Sequence, residues 1–221
     1  HGKLGVVRSD GPFAFAKAGH AVPLTVGEFP VACGSGPIIF VGEEKFPVLV
    51  MGLNGADNMF VTDDGLFEPG VYVPAYARRY PFMLAKLRPD AEELSLCFDP
   101  RSDGVGAFED GEALFADGQP TEVTKNILAF CEQFEVAAQR TGTFVRELDE
   151  AKLLIDGERS IQPEGAEQPF IYRGFRMVSE EAVNELRGDV ARKLIRSGAM
   201  ALIYAHLFSL GLTRELFGRQ L

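Results

Sequence analysis

Thr121-Glu122-Val123-Thr124-Lys125-Asn126-Ile127-Leu128-Ala129-Phe130-Cys131-Glu132-Gln133-Phe134 is where the chain changes character. Val123, Ile127, Phe130, Phe134 and Ala138 recur at spacings of three and four. Val145 and Leu148 continue the series after a step of seven. That period puts one apolar stripe along an amphipathic helix beginning at Thr121. Gly142 is expected to bend or divide the helix in its last third.

Upstream the period is different. Pro37-Ile38-Ile39-Phe40-Val41, Phe46-Pro47-Val48-Leu49-Val50-Met51 and Asn58-Met59-Phe60-Val61 are short apolar runs that read as strands. Gly42-Glu43-Glu44-Lys45 joins the first two, and Asp63-Asp64-Gly65 reads as a hairpin-type turn after the third. Leu94-Ser95-Leu96-Cys97-Phe98 alternates as a half-buried strand does. Prolines 30, 37, 47, 74 and 81 are expected at strand edges or turns, because proline cannot donate to a ladder.

Downstream of the long helix, the polar stretch from Gly157 to Pro169 reads as a loop or hairpin insertion. Phe170-Ile171-Tyr172 and Phe175-Arg176-Met177-Val178 then read as a strand. Ser179 caps a helix whose first turn carries Glu180 and Glu181, and a further helix starts near Asp189 and stops near Gly198. Met200 to Leu210 reads as a buried helix, with Leu202, Ile203, Leu207 and Leu210 on one wide face. The fold class that follows is α+β: a twisted, mostly antiparallel N-terminal sheet packed with a C-terminal helical region. We expect one domain over residues 1–221, β-rich to about 118 and helix-rich from about 119.

Composition narrows the function classes. The 32 acidic against 22 basic residues give a net charge of −10, the wrong sign for a nucleic-acid footprint or a polybasic membrane anchor. With 18 Phe, 5 Tyr and no Trp, the chain lacks the residue on which lectins most often stack sugars. Cys33, Cys97 and Cys131 are odd in number, widely spaced and without a CxxC pair, so free thiols are expected rather than a disulfide framework or zinc cluster. No run reaches the roughly 18 apolar residues of a membrane span. A cytoplasmic location is expected over an exported one, although the chain begins at His1 and a removed signal peptide stays open.

Candidate sites are few. Tyr76-Ala77-Arg78-Arg79-Tyr80-Pro81-Phe82 packs two guanidinium groups among aromatic rings. Tyr76, Arg78, Arg79 and Tyr80 are the candidate ligand-binding residues: an arginine can hold a carboxylate or phosphate while a tyrosine stacks on the ligand. The plainer alternative pairs one arginine with the protein's own acids. His206, beside Tyr204 in the apolar C-terminal helix, is a candidate general base or ligand, against the alternative of a core histidine bonded to a carbonyl or a phenol. His1 and His20 form no metal-ligand spacing, and neither a metal nor a cofactor is expected. Asp99-Pro100-Arg101-Ser102-Asp103-Gly104 partly matches a calcium loop, but Arg101 has the wrong sign at the third ligand position, so a plain acidic turn is the expectation. Cys33-Gly34-Ser35-Gly36-Pro37 lacks both a nucleophile elbow and a phosphate-loop lysine.

Five stretches in order carry a resemblance: Ala21-Val22-Pro23-Leu24 with Gly27-Glu28-Phe29; Pro37-Ile38-Ile39-Phe40; Tyr72-Val73-Pro74-Ala75 through Phe82; Gly174-Phe175-Arg176-Met177-Val178; and Leu202-Ile203-Tyr204-Ala205-His206-Leu207-Phe208-Ser209-Leu210. Over essentially its whole length the chain resembles the bacterial SapC family. Gly36, where an aromatic commonly stands, and Arg176, in place of an aromatic or aliphatic residue, depart from that pattern. The resemblance implies an association with surface arrays, and a genomic context of TonB-dependent receptors that suggests nutrient or natural-product uptake. It supplies no catalytic residues. Two readings follow. One is an accessory binding protein that takes an anionic or aromatic small molecule or a bacterial protein partner. The other is a small-molecule- or peptide-modifying enzyme built on the arginines, a tyrosine and His206. Convergence of Arg78 or Arg79 with His206 in one concave pocket would favour an enzyme or ligand-binding role; arginines on a convex, salt-bridged surface with His206 buried elsewhere would favour the accessory one.

Overall fold

A computed structural model of the chain describes residues 4–7, 9–53, 55, 57–90, 93–162 and 168–220. In chain order its elements are β1 (Gly5–Val6), β2 (Ala21–Pro23), α1 (Phe29–Ala32), β3 (Ile38–Val41), β4 (Phe46–Val50), α2 (Ala75–Arg78), β5 (Phe82–Ala85) and β6 (Ser95–Phe98). The short strands β7 (Val105–Gly106), β8 (Glu112–Ala113), β9 (Phe115–Ala116) and β10 (Gln119–Pro120) follow. The second half holds α3 (Glu122–Glu150), β11 (Leu154–Ile161), β12 (Phe170–Val178), α4 (Glu180–Asn184), α5 (Gly188–Ser197), α6 (Ala199–Ser209) and α7 (Thr213–Gln220). The class is α+β.

The main sheet is antiparallel in the order β11-β12-β3-β4-β2. Ile38, Ile39, Phe40, Leu49 and Val50 are buried because β3 and β4 are covered on both faces, which explains why they read as continuous apolar runs rather than alternating ones. Gly42 at φ +74° and Lys45 at φ +53° close their hairpin. The two longest strands come from the C-terminal half. Residues 154–161 form the sheet's edge as the first arm of a β11–β12 hairpin, the hairpin alternative for the stretch from Gly157, with a bulge between Gly157 and Glu158. Edge strands tolerate such polar sequence because one side meets water. Gly157 has no room for a side chain: a Cβ there would lie 2.1 Å from the Phe175 ring. The part of the expected loop at 163–167 lies outside the described residues, as does His1.

Helix α3 runs unbroken through Gly142, with Thr121 as its cap. Packing overrides the glycine's weak propensity, because the helix serves two cores. Its first half joins a small cluster of Phe82, Val105, Leu114 and Cys131 on the β5–β6 hairpin, while Phe144, Val145 and Leu148 enter the main core beside Phe29. Three further expectations change. Asn58–Val61 forms no strand beyond an isolated bridge between Val61 and Phe67. Pro47 sits inside β4, opposite Phe40 and beyond the end of the β2 ladder, where no donor is required of it. Leu202 and Leu207 are only half-buried, and Phe208 is exposed. Ser179 caps α4, and Gly198, at φ +81°, ends α5 as read. Gly36 is required by this backbone, since a Cβ would stand 2.7 Å from the Val50 carbonyl oxygen.

Candidate functional site

The arginine-aromatic segment is anchored by a residue the sequence did not single out as a site. Glu28 is buried, and its carboxylate accepts four hydrogen bonds. Oε2 takes the Thr25 amide and hydroxyl, both at 2.8 Å, in the reach-back of a capping box. Oε1 takes the Tyr72 hydroxyl at 2.9 Å and the Ala75 amide at 2.7 Å. Burial first, and then the Glu28 carboxylate beside it, hold the Tyr72 phenol above its ordinary pKa. The single turn of α2 is thereby fixed at its start, which aims Arg78 and Arg79 at the face of α3.

The two arginines have separate fates. The Arg79 guanidinium lies 4.7 Å from the Tyr76 ring centroid and 4.2 Å from that of Phe134, and it pairs with Glu135 at 3.4 Å. It is mostly buried, and its charge is answered within the fold. Arg78 donates through Nε to the Val73 carbonyl at 3.1 Å and through Nη2 to the Tyr72 hydroxyl at 3.3 Å, with its guanidinium 5.5 Å from the Phe130 ring centroid. It is exposed, and among the described residues it meets no carboxylate. Replacing Arg79 with Ala is therefore expected to cost about 1–3 kcal/mol, from two lost cation–π contacts and the packing of the aliphatic stem. Urea unfolding measures this; an unchanged midpoint would make Arg79 dispensable to the fold.

Arg78, Arg79 and Tyr80 share a cavity of about 330 Å³ with Phe82, Asn126, Ile127, Phe130 and Cys131. Positions 126, 127, 130 and 131 are one face of α3 by helical spacing. The Cys131 thiol is buried, and desolvation pushes its pKa up despite the nearby Arg79, so it is a thiol rather than a thiolate nucleophile. Tyr76 stands apart from this cavity: it lines a smaller one of about 140 Å³ with Phe15, Ala16 and Ala77. Tyr80 stacks on Phe15 with centroids 3.8 Å apart and precedes Pro81 through a cis peptide bond. A third cavity, about 520 Å³, lies on the other side of that pair and includes Arg101, Ser102 and Asp103. There Asp99 holds Arg101 in a two-pronged pair at 3.0 and 2.8 Å, which drops the Asp99 pKa to about 2. The residue that spoiled the calcium-loop pattern is thus the aspartate's own partner.

His206 is elsewhere and fully buried. The Val178 amide donates to its Nε2 at 3.0 Å, which leaves the ring proton on Nδ1 to donate to the Ile38 carbonyl at 2.8 Å. Strands β12 and β3 pair only at Arg176 and Phe40; the same register, two residues further along each strand, would set Val178 opposite Ile38. The imidazole therefore occupies the next rung of the ladder. One turn on, the Ser209 hydroxyl accepts from the Ile38 amide at 2.9 Å and donates to the His206 carbonyl at 2.6 Å. Burial lowers the His206 pKa from 6.5 to about 4, against a smaller opposing effect of the Ile38 bond. Tyr204 is half-buried with its ring 5.9 Å from that of Phe208. Among the described residues, neither lines the cavity that holds Arg78 and Arg79.

Phe130 lines the cavity although it shares the apolar stripe of Phe134: it is half-exposed, while Phe134 is buried. Its offset of four from Asn126 and proximity to a polar face were the available signal. Arg176, the departure on β12, pairs with Asp156 at 3.1 Å on the solvent side of the edge hairpin.

No curated protein and no solved structure matches this chain. The family model for SapC does, over residues 1–216 of 221, and that span contains the sheet, both cores and every cavity just described. The chain belongs to the SapC family.

Proposed function

We propose that this protein is a binding protein whose site is the Arg78 cavity, and that its ligand is a small molecule with an anionic group and an apolar or aromatic body. The observation that carries the reading is Arg78 itself: a guanidinium held in place by Val73 and Tyr72, exposed, and paired with no carboxylate among the described residues. An arginine fixed before binding loses little rotamer freedom when it accepts a carboxylate. Phe82, Ile127 and Phe130 supply apolar walls for the rest of the ligand. The candidate base of the alternative, enzymatic reading has both ring nitrogens engaged in backbone hydrogen bonds. An accessory role in uptake or surface assembly fits a carrier of this kind, and the net charge of −10 favours steering by the local cation over any general affinity for anions.

Calorimetric titration with phenylacetate tests the site. The expected result is saturable binding that weakens at least tenfold in Arg78→Gln, with the melting temperature unchanged because Arg78 is exposed. Binding of equal strength in the variant, or no binding to the wild type, removes the proposal.

A further inference from the structure

The Arg78 cavity is bordered at Tyr80 by a second one. Tyr80, Phe82 and Ile127 line both it and the larger cavity of about 520 Å³, so the two adjoin across a shared aromatic and aliphatic wall. The larger cavity continues over Phe15, stacked on Tyr80, and over Pro12 and Val6. Its charged groups differ in sign of effect from those of the first. Arg101 is neutralised by the two-pronged contact with Asp99, whereas Asp103 makes no ion pair among the described residues and is exposed. Among the described residues, the Arg78 cavity thus offers a cation without an ion pair, the shared wall is apolar, and the larger cavity offers an anion without one.

We infer that the two cavities act as one groove for an elongated, single-headed carboxylate, with the head on Arg78 and an alkyl or arylalkyl body running past Tyr80 along Phe15. This rests on the Arg78 site being the binding site. The larger cavity adds two properties that the first alone does not have. Each methylene that passes from water onto the wall of Phe15, Tyr80 and Ile127 strengthens binding, by roughly two- to fourfold in Kd. A second carboxylate at the far end is repelled by Asp103, so a dicarboxylate of similar length is rejected.

Calorimetry with phenylacetate, 4-phenylbutyrate, 6-phenylhexanoate and suberate distinguishes the levels of the account. The expected result is a Kd that falls at least tenfold from phenylacetate to 6-phenylhexanoate, with suberate the weakest. Phe15→Ala, a truncation of a partly exposed ring, is expected to flatten that series by weakening 6-phenylhexanoate far more than phenylacetate, and Asp103→Asn to strengthen suberate binding several-fold. If phenylacetate binds in an Arg78-dependent way but length has no effect, the joined groove is wrong and the smaller site stands. A length dependence that survives Phe15→Ala likewise overturns the groove. If no phenylalkanoate binds, the Arg78 site fails and this inference with it.

Discussion

Replacement of His206 by Ala is expected to lower stability by about 3–5 kcal/mol without touching the ligand site. The substitution leaves the Val178 amide and the Ile38 carbonyl facing a void in a fully buried position, and each orphaned group costs about 1–3 kcal/mol, with a cavity term besides. The pH dependence gives an independent signature. The unfolded chain protonates this histidine near 6.5, and the folded chain only near 4, so the unfolded state binds the extra proton between those values. The contribution of a neutral His206 is therefore complete above pH 6.5 and is lost as pH falls towards 4, by on the order of 3 kcal/mol. Denaturant unfolding of wild type and variant at pH 7 and 4.5 should show the gap between them narrowing at the lower pH. A variant as stable as the wild type at pH 7, or a gap that widens on acidification, contradicts the ladder role.

Glu28 should matter as much, and it couples stability to the site. Glu28→Ala removes the acceptor for the Thr25 amide and hydroxyl, the Tyr72 hydroxyl and the Ala75 amide at once. With four donors stranded in a mostly buried place, a loss of about 3–5 kcal/mol is expected. Glu28→Gln keeps one acceptor oxygen and should lose roughly half of that. Because Ala75 opens α2 and Tyr72 supports Arg78, the variant should also release the segment that presents the guanidinium. Amide exchange reads this locally: protection at Ala75 and Arg79 should fall more than protection in β3 or β4. Uniform loss across the sheet would make Glu28 a general core residue rather than the anchor of the segment.

The parts of this molecule that the sequence reveals are those set by neighbours in the chain. The stripe of α3, the β3–β4 hairpin around Gly42, the Ser179 cap and the Gly198 stop each depend on residues a few positions apart, and each is readable from spacing and turn chemistry. Strand β11 is hard to tell from loop because a bulged edge strand carries the exposed Asp156 and Glu158 at little cost. The site was half legible. Arginines among aromatics announce a recognition surface or a salt-bridged one, and the two guanidinium groups divide: Arg79 is answered by Glu135, 56 positions away, while Arg78 makes no ion pair among the described residues. His206 shows the same limit, since its acceptor at Ile38 lies 168 positions upstream. No local pattern distinguishes a histidine that replaces a strand rung from one that takes a proton from a substrate.

Under the proposed function, Arg78 and the α3 face opposite it bind a ligand. The most direct measurement is a residue-by-residue map of amide chemical shifts during titration with 4-phenylbutyrate. Saturable shifts are expected to concentrate at residues 78–82 and 126–131 and at Phe15, with His206 and its partners Ile38 and Val178 unmoved. Shifts gathered instead around Phe40, Glu158 and Arg176, which line the separate hollow of about 560 Å³ on the edge hairpin, or no saturable shifts at all, would contradict that site.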